Sequence, residues 1–163
     1  MPFDAFLKIS TIPGESTDDG HAGWIEIQSF AWGASQKSGG HASMTPAHAG
    51  QRVDIQDLSI TKQLDQASPK LFLSCCKGEE IPEVTLELCK AGGGKQKYMT
   101  YKLSKAIVSS YQPGGNKGGD DALPVEEVSF RFGKVELAYV PIDGNTPKGQ
   151  VTAAWDLTKN TAA

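Results

Sequence analysis

Hydrophobic and polar positions alternate along most of this chain with a two-residue period, the pattern of half-buried strands. Phe3–Ile9 is the first such run and ends at the turn Ile12-Pro13-Gly14. The second, Trp24–Gln36, changes phase partway: Ile25 and Ile27 share one parity, Phe30 and Trp32 the other. A strand that keeps one side on a core through such a shift needs a bulge, which the pattern places near Gln28–Ser29. Beyond it, the side opposite Phe30 and Trp32 carries only Ser29, Ala31 and Gly33, a smooth surface suited to a wall that faces something other than bulk solvent. Val53–Leu64 changes phase between Ile55 and Leu58. Val84–Cys89 turns Val84, Leu86 and Leu88 inward, and Gly92-Gly93-Gly94 joins it to Tyr98–Tyr111 as a hairpin. In Val125–Val140 the parity switches at Gly133, again the mark of a bulge or bend. Gln150–Leu157 is expected to bury Val151, Ala153, Trp155 and Leu157.

One helix is marked, over about 68–77. Ser68 is expected as N-cap, Pro69 suits the first helical position, and Gly78 stops the helix after Lys77. Leu71, Phe72, Cys75 and Cys76 are its expected apolar stripe. Long bulged strands with a single flanking helix predict a mainly β fold, a curved two-sheet structure closing into a small barrel. Two stretches fit neither strand nor helix. Lys37–Gly50 is small and polar, and longer than an ordinary hairpin loop of about 2–5 residues. Pro113–Asp121 is a Gly-rich turn.

Length and composition narrow the picture. The 163 residues are read as one domain spanning 1–163, long enough to fold without staples. Charged residues make up 21% and the net charge is -3, with the two signs well mixed, so no basic field for nucleic acid exists. No apolar run approaches the roughly 18 residues that span a bilayer, so membrane insertion is not expected. Cys75, Cys76 and Cys89 are an odd set without a secreted framework and are read as reduced thiols, which implies folding in the cytoplasm. MPFDAFLKIS lacks a basic region followed by an apolar core, so no cleaved signal is expected.

No assembled active site is expected, and neither cofactor nor metal. His41 and His48 lie in the long loop without metal-ligand spacing. Cys75-Cys76 lacks the two-residue spacer of a redox motif. GGNKGG lacks the Lys-Ser/Thr end of a phosphate loop and runs into Asp120-Asp121. Glu79-Glu80 and Glu126-Glu127 are sequence neighbours, which point to opposite sides of an extended chain, and both pairs read as solvated. No Gly-x-Ser-x-Gly elbow is present.

Several short runs, in order, resemble those of one family. They are Phe6-Leu7-Lys8-Ile9; Gly14-Glu15-Ser16 followed by Asp18 and His21; Gly23-Trp24-Ile25-Glu26-Ile27; and Ser29-Phe30-Ala31-Trp32-Gly33. Further on stand Lys62-Gln63-Leu64-Asp65 with Ser68-Pro69, Glu87-Leu88-Cys89-Lys90, Ile107-Val108-Ser109-Ser110-Tyr111, Val125–Phe132 and Trp155-Asp156-Leu157. Together they resemble the haemolysin-coregulated proteins, tail-tube subunits of type VI secretion systems. Ala154 stands where the family pattern suggests Gly.

The resemblance implies a phage tail-tube-like two-sheet β-barrel with one flanking helix. Six copies would form a ring, rings would stack into a tube, and a contractile sheath would expel the tube behind a spike protein. The expected partners are the chain itself, as homohexamer and stacked rings, with the spike, the sheath and effector proteins carried or chaperoned in the lumen. The expected location is the bacterial cytoplasm, followed by export without a signal peptide to the extracellular space or a target cell. No fused C-terminal effector is expected, since the sequence ends soon after Trp155. Ser29 and Ala31 are the candidate lumen or cargo face. Ser38, Gly39, Gly40, His41, Met44, Thr45, Pro46 and His48 are the candidates for contacts between subunits or rings. The competing reading is a monomeric β-barrel carrier or lectin-like protein, which needs an interior wide enough for a ligand.

Overall fold

The computed structural model describes residues 2–36, 52–92, 95–117, 123–143, 146–147 and 149–163. In chain order the elements are β1 (Phe3–Ile9), β2 (Ile25–Ile27), β3 (Ser29–Ala31), β4 (Ala34–Ser35), β5 (Asp54–Ile55), β6 (Leu58–Gln63), α1 (Ser68–Lys77), β7 (Ile81–Lys90) and β8 (Lys97–Gly114). They continue with β9 (Val125–Arg131), β10 (Lys134–Tyr139), β11 (Ile142–Asp143), β12 (Thr146–Pro147), β13 (Val151–Asp156) and β14 (Thr161–Ala162).

The strands form two antiparallel sheets that share β8. The first runs β14-β13-β10-β8-β7-β1-β2, and the second joins β3, β6, β9 and the C-terminal part of β8. The phase changes at Gln28–Ser29 and Gly133 mark places where the chain leaves one sheet for the other, whereas the one between Ile55 and Leu58 separates β5, paired only with β4, from β6. Between β2 and β3 it crosses at Gln28, whose N–H donates to the Thr61 carbonyl at 2.7 Å. Within β8, residues up to Ser104 pair with β10 and residues from Ile107 pair with β9. Lys105 lies between them at φ 52, in the left-handed region. The chain crosses beside it, at Gly133, where an added Cβ would meet the Lys105 Cβ at 3.3 Å. β8 also carries a register shift between Val108 and Ser110.

The mainly β architecture with one helix is as the pattern predicted, but the sheets do not close into a barrel. The first sheet continues beyond β8 into β10, β13 and β14, so its ladder runs outward to an edge strand instead of returning on itself. The core lies where the two sheets overlap. Leu7, Ile25, Leu86 and Leu103 from the first sheet meet Leu58, Ile60, Val128 and Phe130 from the second, all at most 2 % exposed.

The overlap also explains the main error over burial. Ala5, Leu88, Met99, Tyr139 and Val151 form one row across the first sheet. Exposure climbs along it from 5% at Ala5 to 64% at Val151 as the row passes beyond the second sheet. Val151 and Ala153 are therefore exposed, and Trp155 and Leu157 only half-buried, where the sequence pattern had buried all four.

α1 begins and ends near the predicted residues with different capping. Ala67 is the N-cap, and Asp65 Oδ1 accepts the Ala67 N–H at 2.9 Å. Ser68 is already inside the first turn, and its Oγ accepts the Asp65 N–H at 3.0 Å. Gly78 takes φ 63 and donates its N–H to the Ser74 carbonyl, closing the C-terminus. The buried face is Ser68, Leu71 and Ser74, with Cys75 half-buried; Phe72 and Cys76 are exposed, so the stripe is rotated from the expected one. Ser68 stands on that face because a polar network lies beneath it.

Candidate functional site

The second sheet separates its residues cleanly by parity. One row across it is Phe30, Ile60, Val128 and Tyr111, and the next on the same side is Leu58, Phe130 and Val108, all turned toward the core. On the opposite side stand Ala31, Ser59, Ser129 and Ser110 in one row, with Ser29, Thr61, Glu127 and Gln112 in the next. Ser29 and Ala31, singled out from sequence, are both exposed there, and their cross-strand neighbours Thr61 and Ser59 are half-buried. Across this face Ser59 Oγ donates to Glu127 Oε1 at 3.0 Å. Five of these eight residues carry a hydroxyl, and only Glu127 and Gln112 have long side chains. Ser38, Gly39, Gly40, His41, Met44, Thr45, Pro46 and His48 lie outside the described residues.

Behind the sheet, the core side ends in a buried charge network that sequence reading misplaced. Lys62 and Glu126 face each other across β6 and β9 and are 0% and 1% exposed. Glu126 is thus not solvated; Glu127, its neighbour, is exposed, as strand alternation requires. Lys62 Nζ donates to Glu126 Oε1, to Asp65 Oδ1 at 2.9 Å and to the Gln63 carbonyl at 2.9 Å. Ser68 Oγ donates to Glu126 Oε1 at 2.7 Å and Tyr111 Oη to Glu126 Oε2. Burial pushes the Glu126 carboxyl up, but the hydrogen bonds from Lys62, Tyr111 and Ser68 outweigh it and hold the group below its ordinary range. Burial, reinforced by that carboxylate, pushes Tyr111 up to about 12. The network bolts α1 to the second sheet.

A second cluster covers the outer side of the first sheet. The segment between β1 and β2 folds back on itself, with Gly14 N–H donating to the Gly23 carbonyl, Gly23 N–H to Ser16 and Ser16 N–H to Trp24 at 2.8 to 2.9 Å. Gly14 is required there: a Cβ would stand 2.3 Å from the Trp24 carbonyl oxygen. The fold-back lays His21 flat on Phe6, ring centroids 4.2 Å apart, with Trp24 edge-on at 4.8 Å. The imidazole spans two carboxylates, Nδ1 to Asp18 Oδ2 at 2.9 Å and Nε2 to Glu87 Oε2 at 2.7 Å. Cys89 Sγ lies 3.9 Å from Nε2. Hydrogen bonds from Lys95 and then His21 hold the Asp18 carboxyl below its ordinary value. Burial, then the charges of Glu87, Asp18 and Asp4, push the Cys89 thiol up to about 11.

Among the described residues, none of these groups joins a nucleophile to a base beside an open cleft. The sequence profile of the family described as "Type VI secretion system effector, Hcp" matches residues 6–139. The chain belongs to the Hcp family.

Its likeness to individual Hcp proteins extends over the full length. Protein hcp1 of Pseudomonas aeruginosa is 37% identical over 166 residues, covering 100% of both chains. A solved type six secretion system protein superposes with TM-score 0.93 at 36% identity, covering 99% of this chain and 100% of the other. Hcp1 from Salmonella typhimurium superposes with TM-score 0.79 at 32% identity, covering 100% of each. The Hcp family is one of structural, secreted tube proteins and not of enzymes.

Sequence reading missed both buried clusters. The Lys62–Glu126 pair brings together residues 64 positions apart, which no local pattern reveals. Glu87 and Cys89 were within reach: a two-residue spacing on a strand puts both on one face, opposite the inward Leu86 and Leu88. His21, the third member, arrives from a turn whose path depends on Gly14.

Proposed function

We propose that this Hcp-family protein is the tube subunit of a type VI secretion system. Copies close into a six-membered ring with the Ser29–Ala31 face turned to the hole, rings stack into a tube, and the tube leaves the cell with effector proteins held in its lumen. Membership of the Hcp family carries this reading. The second sheet supports it, because its outer face is small and hydroxyl-bearing where a passage needs to be smooth. The first sheet supports it too: its edge and its exposed Tyr139 and Val151 are surface that ring closure would cover. Residues 37–50 supply the contact between neighbouring subunits or rings, and sheath and spike are the remaining partners.

The monomeric carrier reading needs an interior space between the sheets. That space is filled by Leu7, Ile25, Leu86, Leu103 and Phe130, each at most 2 % exposed, which argues against it.

Native mass spectrometry and negative-stain electron microscopy of the purified protein test the proposal. Rings of six with a stain-filled centre are expected; a monomer at every concentration up to the millimolar range overturns it. Export is checked by following the protein into the culture medium of its own bacterium with and without a working sheath. Equal amounts outside the cell in both strains would reject sheath-driven release.

A further inference from the structure

We propose that His21, Glu87 and Cys89 form a binding site for a zinc-type divalent cation on the outer side of the first sheet, with Asp18 positioning the imidazole and water completing the coordination. The ligand atoms, one from each residue, lie within 4.8 Å of one another. They supply nitrogen, oxygen and sulfur together, the mixed donor set that zinc accepts in tetrahedral sites.

An ion fits once the Glu87 carboxylate has moved off the imidazole. With Zn–N near 2.0 Å and Zn–S near 2.3 Å, a tetrahedral centre separates nitrogen from sulfur by about 3.6 Å and nitrogen from oxygen by about 3.3 Å. The chain holds Cys89 Sγ 3.9 Å and Glu87 Oε2 2.7 Å from His21 Nε2. An ion needs the Glu87 carboxylate to swing toward Sγ, opening the nitrogen–oxygen separation by roughly half an ångström and bringing an oxygen now within 4.8 Å of the sulfur to about 3.6 Å from it, a rotamer adjustment open to a Glu side chain.

The surroundings are arranged as metal sites arrange theirs. His21 Nδ1 already meets Asp18 Oδ2 at 2.9 Å, the carboxylate–imidazole contact that fixes a ligating ring and leaves Nε2 for the ion. Stacking on Phe6 and the edge of Trp24 hold the ring plane. Lysines take the other carboxylate oxygens: Lys95 binds Asp18 Oδ1, and Lys97 lies 3.4 Å from Glu87 Oε1, so Oε2 is left facing the imidazole. Glu87 is 14 % exposed and gives the ion a way in, while Cys89 is fully buried behind it. The Cys89 thiol already meets the same Nε2 at 3.9 Å, so the sulfur stands beside the imidazole before any ion binds. When the cation binds, the protons on Nε2 and on Cys89 leave and the Nε2–metal and S–metal bonds replace them. A divalent ion then enters as two protons depart, and the charge of the cluster is conserved.

The test uses cobalt(II) as a spectroscopic substitute in full-length protein carrying Cys75→Ser and Cys76→Ser, which removes the half-buried and exposed thiols on α1. One equivalent of cobalt is expected to raise a thiolate-to-cobalt absorption in the near ultraviolet, and zinc to abolish it. Imidazoles elsewhere, including His41 and His48, cannot produce that band. Cys89→Ser removes the band, and Asp18→Asn weakens cobalt binding by about 10–100-fold. Absence of the band in the Cys75/Cys76 variant overturns the site without any further substitution, as does a band that survives Cys89→Ser.

Discussion

Lys62 and Glu126 form an ion pair from which water is excluded on both sides, each side chain being 0% exposed. The pair lies where α1 meets the second sheet, and every remaining polar atom around it is hydrogen-bonded by Asp65, Ser68, Tyr111 or the Gln63 carbonyl. Removing one partner strands the other charge in the core, which costs about 3–5 kcal/mol. Glu126→Ala is therefore expected to lower the unfolding free energy by that amount in urea titrations. Replacing both, as Lys62→Met with Glu126→Leu, should recover most of the loss because neither charge of the pair is left, while Asp65, 13% exposed, keeps the Ala67 N–H. A Glu126→Ala cost below about 1 kcal/mol would show that water reaches the pair.

The same carboxylate sets the acid limit of stability. Hydrogen bonds hold Glu126 below its ordinary value of 4.5, and Asp18 is held below 3.8. A depressed carboxyl contributes stability that is fully present above its unfolded value and is lost as pH falls through the folded one. The unfolding free energy should thus be level from neutral pH down to about 5 and decline below about 4.5, with Glu126→Gln flattening part of the slope. On the alkaline side Tyr111 has the opposite sign. It is raised from 10.0 to about 12, so its contribution is present below 10 and lost as pH approaches 12. Tyr111→Phe should remove that loss in denaturant titrations at high pH.

Much of the sheet architecture was legible in the sequence because alternation reports directly on which side of a strand is buried. The phase changes at Gln28–Ser29 and Gly133 were both real, and both proved to be crossings between sheets. Alternation does not report how far the opposing sheet extends. Val151 and Ala153 keep the inward parity but lie past its edge, which is why their expected burial failed. Nor does it reveal charge pairs: Lys62 and Glu126 occupy inward positions in their strands, and only the fold shows that they meet. The exposure of Ser29 and Ala31 was readable, since small side chains on the parity opposite Phe30 and Trp32 are a local property.

Gly14 is the hinge on which the segment before β2 turns. A methyl group there would meet Trp24 O at 2.3 Å and Ile25 Cγ1 at 2.7 Å, both held by the sheet. Gly14→Ala is expected to destabilise by about 1–3 kcal/mol. It should also release the fold-back that holds His21 on Phe6, seen as faster amide exchange at Gly23 and Trp24. Unchanged exchange with unchanged stability would contradict the close approach.

Deleting residues 38–48 should leave the two sheets folded while weakening the association of subunits or rings. The far-ultraviolet spectrum and melting temperature of the deletion report the first part, and native mass spectrometry with electron microscopy the second. Rings and stacks that form as in the intact protein would remove this loop from the assembly contacts.

A large side chain on the open face of the second sheet should separate cargo handling from folding. Ser29 is exposed, and its neighbours in the row, Thr61 and Glu127, leave room above it. Ser29→Trp is therefore expected to change stability by no more than about 0.5 kcal/mol, as surface substitutions do. In the proposed ring the change would be repeated around the hole, so six indoles would narrow the passage at one level. Assembly into rings should persist, whereas effector recovered with the exported tube should fall several-fold. The comparison is made by co-purification of effector with wild-type and variant rings, alongside thermal unfolding of each. A fall in melting temperature of more than about 5 °C would mean the position is packed against something in the folded subunit. Undiminished effector recovery from stable variant rings would instead place the cargo surface elsewhere on the chain.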